Sequence, residues 1–332
     1  MPLLRRTNSL LDKWIFLLMP ALIFIGILSG QGLAVLSSNI TPYLFMLLTF
    51  ISTLKADYRS FGSVFRKPVQ FCLFLVVIQL FLPWLVWRAA EAVFVTEPDL
   101  AIGITICVLL PMGVTSIFWV SYNKGNMESI VAFVTLNTFL SPFIVPASFA
   151  VVLSSHISLD SGSLMMSLVK LVLIPAGLGL AVGERLRRNK VSNGFETGSA
   201  LSSKACLFAI VLLNAAAISG QLDVLGEHIV KLMIAIFLVM VLGYMASYAL
   251  STWFSPERGT QIAISYAGGV RNYTVGVVLA AAYFSPIVGI PVLLAMLLQH
   301  PLAMLFVYFF RIVFYGIDSR SRSLSTKKEP SR

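Results

Sequence analysis

The sequence predicts an all-α polytopic membrane protein. Its ten transmembrane helices form two inverted five-helix repeats, with helices four and nine broken and crossing. Three observations carry this expectation. The 332 residues are 58% hydrophobic and only 11% charged, with a mean hydropathy of +0.90, whereas soluble domains carry about 25% charged residues. Ten apolar runs approach the roughly 20 residues that cross a bilayer. The basic residues sort to alternate loops, as they do in membrane proteins of fixed orientation.

The runs are 14–30, 38–54, 69–88, 100–122, 129–153, 163–183, 201–219, 229–252, 260–284 and 287–312. The first follows Arg5, Arg6 and Lys13, a flank shared with signal peptides, but it has no small-x-small cleavage pattern and reads as a retained helix. Pro68, Pro256 and Pro286 stand at helix entrances, where the first N–H has no intrahelical partner to lose. With the N-terminus in the cytoplasm, all of the 24 basic residues except Arg88, Lys231, Lys170 and Arg271 fall on the inside. Glu91, Glu97, Asp99, Asp160, Asp223 and Glu227 fall in outer loops. Both termini are therefore expected in the cytoplasm of a cell-membrane (inner-membrane) protein. The net charge of +10 is a topology signal and not a nucleic-acid footprint. Residues 1–156 read as the first repeat, 157–316 as the second, and 317–332 as a disordered basic cytoplasmic tail. Cys72, Cys107 and Cys206 lie within apolar runs without metal-ligand spacing and read as reduced small hydrophobes.

The ninth run holds the residues around which the rest is organised. Gly268, Gly269, Arg271 and Asn272 interrupt it near the bilayer midplane. A charge at that depth is costly and marks function by default. The competing reading is a structural Arg paired with a carboxylate, but no Asp or Glu lies deep in any expected helix. The fourth run is interrupted by Pro111-Met-Gly-Val-Thr-Ser116, where Pro111 removes a helical hydrogen bond and Gly113 relaxes the backbone. A shift of 156 residues lays Gly113-Val-Thr-Ser116 on Gly269-Val-Arg-Asn272. Each break then falls in the fourth helix of its half, and an odd number of spans per half inverts the second half, as in secondary transporters. Two kinked packing helices are the plainer alternative.

Further residues resemble a known family. Pro111-Met-Gly-Val-Thr-Ser116, Tyr122-Asn-Lys-Gly-Asn126, Leu136-Asn-Thr-Phe-Leu-Ser-Pro142, Gln79-Leu-Phe-Leu-Pro83 and Leu173-Ile-Pro-Ala-Gly177 resemble spans three to six of the bile acid:sodium symporter family, within the bile/arsenite/riboflavin transporter superfamily. Gly269-Val-Arg-Asn272 resembles that family's Gly-Met-Gln-Asn signature in span nine. The resemblance implies a core domain, a panel domain, and crossing broken helices that bind sodium and an organic anion by alternating access. The departures are as informative. The family's sodium-site Glu reads Ala267, or Ser265 under a shifted alignment, and its Gln reads Arg271. Its Ser-Asn reads Ser116-Ile117, and its fifth-helix Ser and Thr read Ile130 and Val134. A hard cation needs several oxygen ligands, so the expectation is a divergent member with neither sodium site intact and no cofactor.

The expected function is secondary transport of a small or amphipathic organic anion, with Arg271 as a fixed positive charge that pairs with the anionic head. Gln79, Gly113, Thr115, Ser116, Asn137, Ser265, Gly268, Gly269 and Asn272 complete the expected site. For Asn137 and Gln79 an interhelical hydrogen bond is the competing role. Lys170 reads first as a snorkelling residue, and His300 as a packing residue or a proton relay. Alternatives are a sodium-coupled bile-acid-type symporter with a rearranged ion site, an arsenite-type efflux protein, and a non-transporting membrane sensor. The arsenite group's thiol beside the break is absent, since Cys107 lies too early. No paired carboxylates, Ser/His/Asp arrangement, HExxH or P-loop supports an enzyme. Substrate identity and oligomeric state lie outside what these residues encode.

Overall fold

The structure, a computed structural model, describes residues 2–54, 68–153, 161–188 and 193–325. These residues are helical apart from short turns, with no strand among them beyond one isolated bridge. Twelve helices follow in order: α1 Pro2–Ser29, α2 Gln31–Thr53, α3 Pro68–Val93, α4 Pro98–Leu109, α5 Thr115–Tyr122 and α6 Met127–Leu153. They continue with α7 over 161–188, α8 Asn193–Ile218, α9 Leu222–Phe254, α10 Arg258–Gly269, α11 Tyr273–Tyr283 and α12 Pro286–Ser325.

Six of these helices are long and apolar enough to cross a membrane: α3, α6, α7, α8, α9 and α12. Shorter apolar stretches lie in α1, α2, α4 and α11. Large apolar side chains face outward, among them Leu28, Val69, Val230, Trp253 and Ile312, each at least 69% exposed. In water such a surface would aggregate; against lipid tails it is the expected face. The chain is a multi-pass membrane protein.

The expected apolar runs are helical apart from the breaks at 110–114 and 270–272, but two details differ from expectation. The glycine pair does not break the ninth run. Gly268 and Gly269 complete the last turn of α10, and the chain leaves the helix at Val270. What requires glycine there is proximity to α9: a Cβ on Gly269 would lie 2.3 Å from the Tyr244 ring. The second difference is at the C-terminus, where α12 runs on to Ser325. Extending a formed helix adds one bond per residue without a new nucleus, so residues 317–325 are helical in place of the expected irregular tail. Residues 326–332 of that tail lie outside the described residues, as do Lys55, Arg59, Arg66 and Lys67.

The helices pack in two groups. α8 runs against α1 and α2, and α7 packs on α2. In the other group α4 packs against α3 and α12, α9 against α10, and α11 against α12. A buried aromatic stack of Tyr244 on Phe306, with centroids 4.0 Å apart, and the edge of Tyr266 on Tyr244 hold α9, α10 and α12 together. Local π-turns interrupt α3 at Val77–Phe81 and α7 at Val169–Leu173. Each is followed two residues later by a proline, Pro83 and Pro175. Such π-turns recur at functional sites, and the one in α3 opens directly on the crossing described next. Lys170, in the other, is exposed, as a snorkelling side chain would be.

Candidate functional site

α4 stops at Leu109 because Pro111 follows: proline disfavours the α conformation in the residue before it, and Leu110 is extended (φ −61°, ψ 150°). α10 stops at Gly269 with Val270 extended. The two extended segments cross and pair as a single antiparallel bridge, Met112 with Arg271. Gly113 N–H donates to Val270 O and Asn272 N–H donates to Pro111 O, both at 2.9 Å. A side chain on Gly113 would sit 2.7 Å from Arg271 O, so only glycine admits this approach. Backbone groups freed by two broken helices inside an apolar protein must find partners, and here each break serves the other.

The two remaining N–H groups of the bridge are capped alike. Met112 N–H donates to Asn137 Oδ1 (2.8 Å) from α6, and Arg271 N–H donates to Gln299 Oε1 (3.0 Å) from α12. Asn137 also donates Nδ2 to Gln79 Oε1 of the α3 π-turn at 2.9 Å. Asn137 and Gln79 are fully buried, and Gln79 Nε2 has no hydrogen-bond partner. Replacing Asn137 or Gln299 by Leu is expected to cost about 1–3 kcal/mol each, the price of a buried unpaired donor, read as a lower Tm of the purified protein.

Arg271 is 3% exposed. Its Nη1 donates to Leu110 O and its Nη2 to Ile78 O, both at 3.1 Å. Both carbonyls are orphans for a reason written in the sequence. Leu110 is the extended residue that caps α4 at the break, with no helical turn after it to supply a donor. Ile78 sits in the π-turn, where the N–H five residues on would bond it, and that residue is Pro83, which has none. The guanidinium fork thus closes the C-terminal, partially negative end of α4. The structural alternative of a carboxylate partner is not realised: no ion pair to Arg271 exists among the described residues.

On the other side of the bridge the breaks present helix N-termini, those of α5 at Thr115 and α11 at Tyr273. They open into a cavity of about 180 Å³ between the two helix groups. Gly113, Thr115, Arg271 and Asn272 line it, together with residues the sequence reading did not select: Thr49, Thr53, Thr138, Thr274 and Gln299. His300 lines it too, with its ring 6.2 Å from Trp119. Thr53 and Thr138 donate their hydroxyl protons to their own helices. No such bond engages Thr49, Thr115 or Thr274, whose hydroxyls remain able to donate to a ligand. Asn272 caps α11 through Val275 N–H (3.4 Å).

The other expected residues lie behind this wall. Ser116 is buried and donates to Gly113 O at 2.6 Å, steadying the break. Ser265 is buried within α10 and donates to Gln261 O of its own helix. Gly268 and Gly269 face α9. Cys107 is buried in α4 and donates to Gly103 O, away from the break. The described residues contain no cluster of three His, Cys, Asp or Glu suited to a metal ion. Gln299 carried a signal that went unread: like Asn137 it is an amide in the fifth run of its half.

Residues 41–221 match the model of the sodium bile acid symporter family, which is more than half of the chain. The chain belongs to the sodium bile acid symporter family. An uncharacterized protein YbaS of Bacillus subtilis is 30% identical over 297 residues, covering 88% of this chain and 95% of that protein. An uncharacterized sodium-dependent transporter YocS of the same organism is 26% identical, covering 77% of this chain and 78% of that one. A probable sodium/metabolite cotransporter of rice chloroplasts, BASS1, is 23% identical over 58% of this chain and 46% of its own length. This member of the symporter family is a membrane transporter and not an enzyme, and it takes a small-molecule substrate.

Proposed function

We propose that the protein is a secondary active transporter of a small organic anion, working by alternating access without sodium coupling. Arg271 serves as its built-in cation and anion anchor. The observation that carries this reading is the buried guanidinium on Leu110 O and Ile78 O. Oxygens that would suit a hard cation are already engaged by a tethered positive charge, and that charge is not neutralised by a carboxylate. An anion in the neighbouring cavity offsets it. Two of the five guanidinium donors are used on the carbonyls; the cavity side adds the N-termini of α5 and α11, the hydroxyls of Thr49, Thr115 and Thr274, and the Asn272 amide. Half-helix N-termini aimed at an anionic group are the transporter form of a helix-end anion site. The cavity is smaller than the roughly 300 Å³ at which drug-sized ligand sites begin, which favours a compact acid over a steroid in this conformation.

The ten-span reading is supported by the same geometry. The breaks divide spans four and nine into α4/α5 and α10/α11, and α1, α2, α7 and α8 form the first two spans of each half. The two main-chain bonds of the crossing exchange under a shift of 159 residues, the separation of Met112 and Arg271. A repeat at that shift would lie three residues from the 156 suggested by the Gly-Val matches. The excess of Lys and Arg on one side supports a cell-membrane protein with both termini in the cytoplasm. In this arrangement the α1/α2/α7/α8 group moves against the rest, with the cavity at the seam.

A sodium-coupled mechanism with a rearranged site is the second reading, favoured by the names of the relatives YocS and BASS1. Uptake of a panel of labelled organic acids into proteoliposomes separates the two. The expected result is uptake that survives replacement of sodium by potassium. Uptake strictly dependent on sodium refutes the first reading. An imposed proton gradient is the third condition, because His300 places a titratable ring on the cavity wall.

A further inference from the structure

A second pocket, of about 400 Å³, lies at the far end of the broken helices and takes no part in the crossing. It is walled by the C-terminal end of α5 and the turn after it, the N-terminal end of α10, and the last apolar turns of α12. Lys124, Arg258 and Arg311 line it, along with Ile262, Phe310 and Phe314. Arg258 lies over the Phe314 ring at 5.7 Å and Arg311 over the Tyr308 ring at 5.8 Å. Among the described residues no carboxylate lines the pocket. Glu257, next to it in sequence, accepts from Thr260 Oγ1 at 2.6 Å. The walls are tied across by Asn126 N–H to Gly259 O (2.9 Å) and Asn123 Nδ2 to Tyr266 Oη (2.8 Å).

Lys124 supplies an independent observation. It is the one non-glycine residue with positive φ (55°) among the described residues. Lys124 N–H bonds Ser121 O at 3.1 Å and Gly125 N–H bonds Val120 O at 2.8 Å, a double cap on the end of α5. The left-handed residue of such a cap is usually glycine. Here glycine stands one position later and the strained position holds a lysine. A non-glycine residue kept in that conformation persists where the surroundings over-determine it, and such residues cluster at functional sites.

The apolar stretch of α12 spans Pro286–Phe314, so Phe310 and Phe314 stand where hydrocarbon gives way to headgroups. Basic pockets between helices at that level recognise anionic lipid headgroups. We propose that this pocket binds the phosphate of an anionic phospholipid: Lys124, Arg258 and Arg311 hold the phosphate, and Ile262, Phe310 and Phe314 meet the glycerol and upper acyl chain. Because it joins the C-terminal end of α5 and the N-terminal end of α10 to α12, an occupied pocket braces both broken helices away from the crossing. The assignment does not rest on the transported substrate.

The test is the Tm of delipidated protein in neutral detergent, titrated with phosphatidylglycerol, cardiolipin, phosphatidylcholine or sn-glycerol 3-phosphate. Wild type is expected to gain Tm saturably with the two anionic lipids and not with phosphatidylcholine. Arg311→Gln, at an exposed position, is expected to raise the half-saturating lipid concentration about fivefold, the worth of one interfacial cation. Lys124→Gly is the sharper variant. It relieves the backbone while removing the charge, so it is expected to melt higher than wild type without lipid and to respond about fivefold more weakly to lipid. A lipid response unchanged in both variants, or equal stabilisation by phosphatidylcholine, overturns the proposal. Equal protection by sn-glycerol 3-phosphate overturns the lipid assignment in favour of soluble phosphate esters.

Discussion

Arg271→Gln is expected to weaken binding of the transported anion by about ten- to a hundredfold, since a hydrogen bond to a charged group is worth about 1.5–3 kcal/mol. Arg271→Lys keeps the charge as a compact ammonium but loses the fork that reaches Leu110 O and Ile78 O together, so it falls between wild type and Gln. The order Arg, Lys, Gln is the diagnostic. If Arg271 only fastened the crossing, the neutral Gln, which carries amide donors and no buried charge, would bind at least as well as Lys. Stability responds differently. Arg271→Ala leaves two buried carbonyls without donors, at about 1–3 kcal/mol each, partly offset because a desolvated charge is also removed. Substrate affinity and Tm, measured on the same preparations, separate the two roles.

Gly269→Ala is expected to leave little folded protein. The new methyl would sit 2.3 Å from Tyr244, whose ring is fully buried and stacked on Phe306 with centroids 4.0 Å apart. A ring so held cannot retreat, and overpacking a closed core costs about 1–3 kcal/mol or more. Gly268→Ala meets Ser247 Oγ, a small hydroxyl bonded to Gly243 O that can rotate away, and Ser247 Cβ at 2.8 Å, which asks for a small shift of α9 and not for displacement of a stacked ring. The alanine at 269 is therefore the more damaging of the two. Tyr244→Ala in the same chain should restore part of the folded yield by making room, a coupling that a double-mutant cycle measures. Equal yields for the Gly268 and Gly269 variants, judged by gel filtration in detergent, would contradict this packing.

Much of this architecture is legible in the residues. The apolar runs are helical because a segment in a bilayer must satisfy its own backbone, and six of the helices they form are long and apolar enough to cross one. The two breaks are also legible, from Pro111 in one run and a charged residue in another. Less legible is why Arg271 is tolerated. Its partners are main-chain carbonyls, and the clue lies some 190 residues away in Pro83, which strips Ile78 of a donor through a π-turn that periodicity does not reveal. The glycine pair misleads for a related reason. Glycine loosens a helix in isolation, yet in α10 it serves the close approach of α9, a tertiary fact absent from the local sequence. Asn137 and Gln79 bond each other across helices, as the competing reading held, and through Met112 N–H that bond also holds the crossing. Thr49, Thr53 and Thr138 look like ordinary helix hydroxyls until folding brings α2 and α6 to the cavity.

In the proposed mechanism a tethered guanidinium stands where a coupled cation would otherwise be needed. The most direct test is the movement of radiolabelled sodium in proteoliposomes holding wild-type protein, driven by a gradient of a transported acid. The expected result is acid flux with no accompanying saturable sodium flux. Sodium moving with the acid in a fixed ratio would contradict it.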